Sequence, residues 1–129
     1  MVNKIFISRK NNTKRGRVIL NEDELFHVLE KYGFAKYYLE DMSIEEQIEL
    51  FYDAKFVMGT HGAGLSNLIF SSNIQVLELF PMKEISPYYY YLSKVVENNY
   101  NYWCGNANSF NANFYVDINI ITRYLSKTY

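Results

Sequence analysis

A turn that combines three glycines with one histidine lies near the middle of the 129-residue chain. The residues around it read FVMGTHGAGLSNLIF over positions 56–70. Apolar residues precede the turn, and Leu65, Leu68 and Ile69 follow it at the spacing of a helix with one buried face. The stretch therefore predicts a strand that enters a glycine-rich turn, from which a helix begins.

Such a turn has the chemistry to bind an anion. The first amides of a helix have no partner within it, and the helix dipole adds roughly half a positive charge at that end. Gly62 and Gly64 would let a phosphate approach the backbone, because neither residue has a Cβ atom. His61 would hold the anion, act as a base, or form the wall of a purely structural turn.

Five cations follow the first predicted strand within nine residues, namely Arg9, Lys10, Lys14, Arg15 and Arg17. One interpretation is a solvated loop. The other is a phosphate-binding loop, because the planar guanidinium of arginine can hold two phosphate oxygens at once, whereas lysine offers a point charge.

Glu78 is a carboxylate inside an otherwise apolar predicted strand, VLELF at 76–80. Burying a carboxylate without a partner is costly. We expect Glu78 either to pair with a cation of the basic loop or to accept hydrogen bonds from sugar hydroxyls. The other histidine, His27, falls on the first predicted helix, where a surface position is expected.

Composition and missing motifs argue against several other functions. A net charge of −1 gives no general attraction to nucleic acid or to anionic membranes. The single cysteine, Cys104, favours a reducing compartment, and no apolar run reaches membrane-spanning length, so a cytoplasmic protein is expected. No Cys/His cluster, Walker lysine motif, GxSxG elbow or Asp-x-Asp pair occurs. We attribute the many tyrosines and phenylalanines first to an AT-rich coding sequence and second to a ligand-stacking surface.

Strands alternate with helices along the chain. Strands are predicted at 4–8, 34–39, 56–60 and 74–80, with short strands at 100–104 and 113–116. Helices are predicted at 22–32, at 44–53, after the glycine turn, at 87–98 and around 118–125. The predicted helix signals are Asn21 as an N-cap, Gly33 as a stop, a capping box of Ser43 and Glu46, and Pro87 in a first turn. The expected inward-facing residues include Ile44, Ile48, Phe51, Leu92, Val95, Val96, Ile121 and Leu125.

This order predicts a single domain over 1–129 with a doubly wound, mostly parallel sheet and helices on both faces. Ligands of such sheets bind at the carboxyl ends of the strands. The basic loop, the histidine–glycine turn and Glu78 would therefore meet at one edge of the sheet.

Several segments together resemble a known family. They read ISRK at 7–10, LNEDEL at 20–25 preceded by Arg17, KYGF at 31–34, Ser43 with EQ at 46–47, GTHGAGLSN at 59–67 and LELFP at 77–81. In this order they resemble the carboxyl-terminal, donor-binding lobe of glycosyltransferase family 61. That family includes bacterial capsule-type enzymes, plant xylan arabinosyl- and xylosyltransferases and protein O-linked N-acetylglucosaminyltransferases. The resemblance covers about residues 4–81.

The resemblance implies a Rossmann-like lobe of a GT-B type enzyme that inverts the anomeric centre. It implies a nucleotide-sugar donor, a glycan or protein hydroxyl as acceptor, and neither a metal ion nor another cofactor. The residues that it implies for donor binding are Arg9, Arg17, His61, Gly62, Ala63, Gly64, Leu65, Ser66, Asn67 and Glu78.

Each of these residues has an implied role. Arg9 and Arg17 would neutralise the leaving diphosphate, and His61 with the amides of 62–65 would hold its oxygens. Ser66 and Asn67 would add hydrogen bonds, and Glu78 would reach the ribose or the sugar. His61 is also a candidate catalytic base, because the pKa of histidine lies near neutrality.

Family members have an amino-terminal lobe ahead of this region. The expectation is that the chain forms the carboxyl-terminal half of a two-lobe hexosyl- or pentosyltransferase, as a fragment or a split half that needs a partner lobe. The alternative is a non-catalytic relic that binds a nucleotide sugar or another anion.

Overall fold

The computed structural model describes residues 3–9, 16–82, 85–106 and 112–128, with the backbone alone at Ala63. Its strands are β1 (Asn3–Ile7), β2 (Phe34–Tyr37), β3 (Ala54–Thr60), β4 (Gln75–Pro81) and β5 (Asn99–Gly105). Its α-helices are α1 (Glu22–Lys31), α2 (Ile44–Asp53), α3 (Tyr88–Val95) and α4 (Ile118–Thr128). Two 3₁₀ helices span Leu39–Asp41 and Ala63–Phe70.

The five strands form one parallel sheet in the order β2-β1-β3-β4-β5. Chain order reverses between β1 and β3, whose carboxyl ends are neighbours. In open α/β sheets this switch point is where a crevice forms. The predicted doubly wound fold is confirmed.

Helices cover both faces of the sheet. On one face, Leu25 and Leu29 of α1 and Ile121 and Leu125 of α4 pack in a core with Phe56 of β3. On the other face, side chains from α2, the second 3₁₀ helix and α3 cover the sheet, including Phe51, Leu65, Leu68 and Tyr89. Successive side chains of a strand point to opposite faces of the sheet, so each strand contributes to both cores.

Several local predictions are confirmed. Ser43 accepts a hydrogen bond from the amide of Glu46 at 3.1 Å, and the Glu46 carboxylate accepts one from the amide of Ser43 at 2.9 Å. Gly33 follows α1 with a φ of +90°, a conformation that glycine adopts without strain. Pro87 immediately precedes α3.

Other local predictions are wrong. The side chain of Asn21 does not cap α1; instead it exchanges two hydrogen bonds, each 2.9 Å long, with the backbone of Val116. Ile44 and Val95 are 71% and 79% exposed, because each lies at an end of its helix where little packs against it. The 113–116 stretch forms a single bridge between Phe114 and Ile19 rather than a strand.

The helix after the glycine turn differs in type from the expectation. It is a 3₁₀ helix, which has three residues per turn. Leu65 and Leu68 therefore share the buried face, while Ile69 rotates outward and is 57% exposed. In the part of the chain that the structure describes, no helix is both long enough and apolar enough to cross a membrane.

Candidate functional site

A cleft of about 210 Å³ opens beyond the carboxyl ends of β1 and β3, at the switch point of the sheet. Its polar lining comes from Ser8 and Arg9 after β1, Thr60 at the end of β3, Gln47 of α2, and the exposed carboxylate of Glu40 in the first 3₁₀ helix. The Thr60 side chain is buried, and its hydroxyl makes no hydrogen bond within the described residues. A buried hydroxyl in that state is a ready partner for a bound molecule.

The guanidinium of Arg9 lies directly against Gly62. A Cβ atom at position 62 would overlap the Nη1 atom of Arg9, so the cleft has room for this cation only because residue 62 is glycine. The Nη2 atom of Arg9 donates a long hydrogen bond of 3.4 Å to the carbonyl of Gly16. Arg9, the first cation of the basic loop, therefore meets the glycine turn at the switch point.

A buried ion pair supports the end of β1 behind this cleft. The Ser8 hydroxyl lies 2.9 and 2.8 Å from the two carboxylate oxygens of Glu22, in the first turn of α1. The ammonium of Lys36 lies 3.2 Å from the same carboxylate. These contacts hold the residue before Arg9 in place. The sequence showed Glu22 only as an acidic residue in the first turn of a helix.

His61 and Glu78 form a second cluster, and neither residue lines the cleft. His61 Nδ1 lies 2.6 Å from Glu78 Oε2, and the Tyr100 hydroxyl donates to Glu78 Oε1 at 2.5 Å. Glu78 is completely buried. Burial raises the pKa of its carboxyl group, and the hydrogen bonds from Tyr100 and His61 oppose that rise. Burial and the adjacent Glu78 also raise the pKa of the Tyr100 phenol.

Aromatic rings hold the imidazole of His61. The ring stacks on Phe80 with 5.5 Å between centroids and an interplanar angle of 24°, and its centroid lies 5.2 Å from that of Tyr89. The Tyr89 hydroxyl donates to the carbonyl of Gly62 at 2.6 Å. Burial, with the nearby Glu78 charge, raises the pKa of Tyr89 to about 12, while the charge of Arg17 lowers it.

Comparison with protein families shows which family the chain belongs to. The model of the family described as Glycosyltransferase 61 matches residues 2–78, which is more than half of the sequence. The chain belongs to glycosyltransferase family 61. Curated proteins provide no match. Family membership supports a glycosyltransferase function, and the matched region contains Arg9, Arg17, the whole glycine turn and Glu78.

The structure brings some of the residues implied for donor binding in family 61 together. Arg9, Gly62, Gly64 and Leu65 line the cleft at the switch point. Gly64 does so with little space beside it, because a Cβ atom there would lie 2.7 Å from Leu39 Cδ1. The two glycines thus accommodate protein side chains, where the sequence had indicated room for a phosphate.

Other implied residues, among them Arg17 and Ser66, are not lining residues of the cleft. The half-buried Arg17 has a φ of +59°, and its Nε atom is buried without a hydrogen bond in the described structure. The amide of Leu65 donates to the Gly62 carbonyl at 3.1 Å, so the amides of 62–64 precede the first bond of the 3₁₀ helix. Ser66 is exposed. The expectations for Lys10, Lys14 and Arg15 fall outside the described residues.

Two implied residues of the family site have protein partners instead. The side-chain amide of Asn67 donates to Gln47 Oε1 at 2.9 Å and to the Gly64 carbonyl at 3.1 Å, which ties the turn to α2. The carboxylate of Glu78 bonds to His61 and Tyr100 and is completely buried, so among the described residues it pairs with neither Arg9 nor Arg17 and does not lie open to a sugar. Glu78 thus bonds to other side chains of the protein and follows neither expected alternative. Its strand, β4, lies between β3 and β5, which supply or precede these partners.

Sequence reasoning missed Thr60, Tyr89 and Tyr100 at this family 61 site. Thr60 was visible as the residue before His61, whereas the two tyrosines come from elements far along the chain and carried no local signal. Among the described residues, no group of three or more His, Cys, Asp or Glu side chains is arranged to hold a metal ion.

Proposed function

We propose that the chain is the donor-binding part of an inverting glycosyltransferase, which transfers a sugar from a nucleoside diphosphate to a hydroxyl of a glycan or protein without a metal ion. The observation that carries this proposal is the guanidinium of Arg9 packed on Gly62 at the carboxyl ends of β1 and β3. An anion bound in this cleft meets a cation, the unpaired hydroxyl of Thr60 and the first amides of the 3₁₀ helix.

This arrangement fits the demands of the reaction. Negative charge grows on the leaving diphosphate as the glycosidic bond breaks, and fixed donors and cations around it stabilise that transition state. Arg9 supplies two parallel N–H donors. Arg17 lies near enough to Tyr89 to affect its pKa, and we assign it a second contact to the diphosphate.

His61 completes the donor site in this proposal. Its Nδ1 atom is occupied by the Glu78 carboxylate, so its Nε2 atom is the one that can reach a ligand. We assign Nε2–H as a donor to a diphosphate oxygen. The general base, and the part of the acceptor site around the attacking hydroxyl, would come from a further lobe or partner chain. We also propose a cytoplasmic location.

Titration calorimetry with a set of nucleoside diphosphates tests the proposal. Arg9→Met should weaken binding roughly tenfold or more, since a hydrogen bond to a charged group contributes about 1.5–3 kcal/mol. Arg123→Met is the matched control, because Arg123 is an exposed cation on α4. Affinity should also fall as salt rises.

Two results would contradict the proposal. One is the absence of binding to every nucleoside diphosphate at millimolar concentration. The other is an equal loss of affinity in Arg9→Met and Arg123→Met, which would indicate a diffuse attraction to the surface cations of the chain and no specific cleft.

A further inference from the structure

A second concave region, which we call the aromatic groove, lies between α3 and β5. Its volume is about 460 Å³, within the roughly 300–1,000 Å³ of small-molecule sites. Its lining includes Phe80, Ser86, Pro87, Tyr90, Tyr100 and Tyr102. None of the roles assigned above uses Tyr90, Tyr102 or Ser86.

The aromatic rings of the groove are close together and partly open to solvent. Tyr100 and Tyr102 stack with 6.5 Å between centroids, and Phe80 meets Tyr102 edge to face at 6.1 Å. Tyr90 of α3 packs edge to face against Tyr100 at 5.8 Å. Tyr102 nevertheless remains 58% exposed. Exposed apolar surface concentrated in a concavity marks an interaction site.

The described lining of the groove carries no charged side chain. Lys94 lies over the Tyr90 ring, 5.1 Å from its centroid, but is not among the lining residues. Hydroxyl groups of serine and tyrosine supply the polar side-chain atoms. The side-chain amide nitrogen of Asn101 donates to the Tyr124 hydroxyl at 3.2 Å. The groove therefore suits a neutral ligand that has hydroxyls and an apolar face.

The groove shares two residues with the cluster around His61. Phe80 lines the groove and stacks on the His61 ring, and Tyr100 lines the groove and donates to Glu78. One aromatic ring thus separates a molecule in the groove from the imidazole. The cleft that holds Arg9 shares no described lining residue with the groove.

We propose that the aromatic groove binds a neutral pyranose unit of the acceptor, an inference that rests on the proposed function. The axial C–H groups of a pyranose carry a slight positive charge and stack on the negative face of a tyrosine ring. Its hydroxyls match those of Ser86 and the tyrosines. A nucleobase would also stack, but its edge is recognised by amide-type donors and acceptors, and the amide nitrogen of Asn101, the side-chain amide of the described lining, already donates to Tyr124.

Saturation-transfer NMR on the chain tests this inference with neutral methyl glycosides of hexoses and pentoses, and with uridine as the competing ligand. Saturation should pass from the protein to the pyranose C–H protons. Tyr102→Ala and Tyr90→Ala should each weaken glycoside binding about two- to tenfold, the range of an aromatic contact. Tyr52→Ala is the control, because Tyr52 is an exposed tyrosine of α2 outside the groove.

Three results would overturn the inference: no saturation of any glycoside, glycoside saturation that survives both groove substitutions, or saturation of uridine alone that Tyr102→Ala removes. Nucleoside diphosphate titrations on the same variants separate this test from that of the proposed function. Tyr102→Ala should leave diphosphate affinity unchanged, whereas Arg9→Met should reduce it. Glycoside binding without any diphosphate binding would support the groove and refute the donor site.

Discussion

At the scale of single residues, Glu78 is the most constrained side chain of the site. It is a completely buried carboxylate whose two oxygens each accept a short hydrogen bond, from His61 and from Tyr100. Desolvation still outweighs these bonds, so the pKa of Glu78 is raised above 4.5. Ionising Glu78 in the folded protein is therefore less favourable than in the unfolded chain.

The raised pKa of Glu78 predicts that the effect of Glu78→Gln on stability depends on pH. A folded state with a raised carboxyl pKa binds more protons than the unfolded state, so wild-type stability falls as pH rises from about 4.5 through the folded pKa. The variant has no charge to bury, so its melting temperature relative to that of the wild type should rise over the same window. Calorimetric melting from acidic to neutral pH measures this, and a constant difference would contradict it.

His61 offers a test of its own role. If Nε2–H holds the diphosphate, His61→Ala should weaken binding of a nucleoside diphosphate, while His61→Asn, which keeps a donor, should retain much of the affinity. A charge-assisted hydrogen bond predicts a loss of about tenfold or more for alanine. Titration calorimetry measures both variants.

The other histidine supplies the control for this experiment. His27→Ala on α1 should bind as the wild type does. Unchanged affinity in His61→Ala would exclude the donor role. If the melting temperature were also unchanged, the role of a base would be favoured. If the melting temperature were lower, His61 would be a structural residue in the wall of the turn.

At the scale of secondary-structure elements, the glycine turn is held from α3. The Tyr89 hydroxyl donates to the Gly62 carbonyl at 2.6 Å, in a buried environment. Tyr89→Phe should lower the free energy of unfolding by about 0.5–1.5 kcal/mol, because the carbonyl loses the hydroxyl and keeps only the Leu65 amide as a donor. Tyr91→Phe on the same helix, where the tyrosine is exposed, should change it little. Urea denaturation measures both, and equal effects would contradict a specific role for the bond.

Much at this scale could be predicted from local sequence. The capping box of α2 and the stop of α1 at Gly33 depend on residues within one helical turn, so the pattern was sufficient. The 3₁₀ helix was not predictable, because Leu65, Leu68 and Ile69 fit either helix type by spacing. Asn21 was misjudged because its partner, Val116, lies 95 residues further along the chain.

At the scale of the whole molecule, alternation of strands and helices was enough to predict a parallel sheet, and the sheet brought Arg9 and the glycine turn together as expected. It could not predict that Tyr100 would meet Glu78. That contact depends on β4 pairing with β5 in a particular register, which no spacing in the sequence encodes. The aromatic groove was likewise visible only as an excess of tyrosine.

Ligand binding should stabilise the folded molecule as a whole. A nucleoside diphosphate at about one hundred times its Kd should add about 2.7 kcal/mol to the free energy of unfolding. Gly62→Ala should lose most of this gain, because the added Cβ atom displaces the Arg9 guanidinium. Its melting temperature without ligand should stay close to the wild-type value, since φ at 62 is extended and the displaced group is the end of a flexible side chain.

Thermal-shift measurements with and without the nucleotide check this prediction. An equal ligand-induced gain in the wild type and in Gly62→Ala would place the nucleotide away from Arg9. A large drop in the melting temperature of the ligand-free variant would show that Gly62 is needed for folding itself.

The position of Tyr100 has a consequence for exchanging segments between relatives. The family match ends at Glu78, within β4, whereas the phenol that bonds this carboxylate comes from β5. A chimera that kept residues up to 81 and took its remaining chain from another family member would inherit the buried acid but would not necessarily inherit its hydroxyl donor. Such recombinants should fold well only when the incoming strand supplies a donor at the position of Tyr100, opposite Val76, so the junction should be placed ahead of β4.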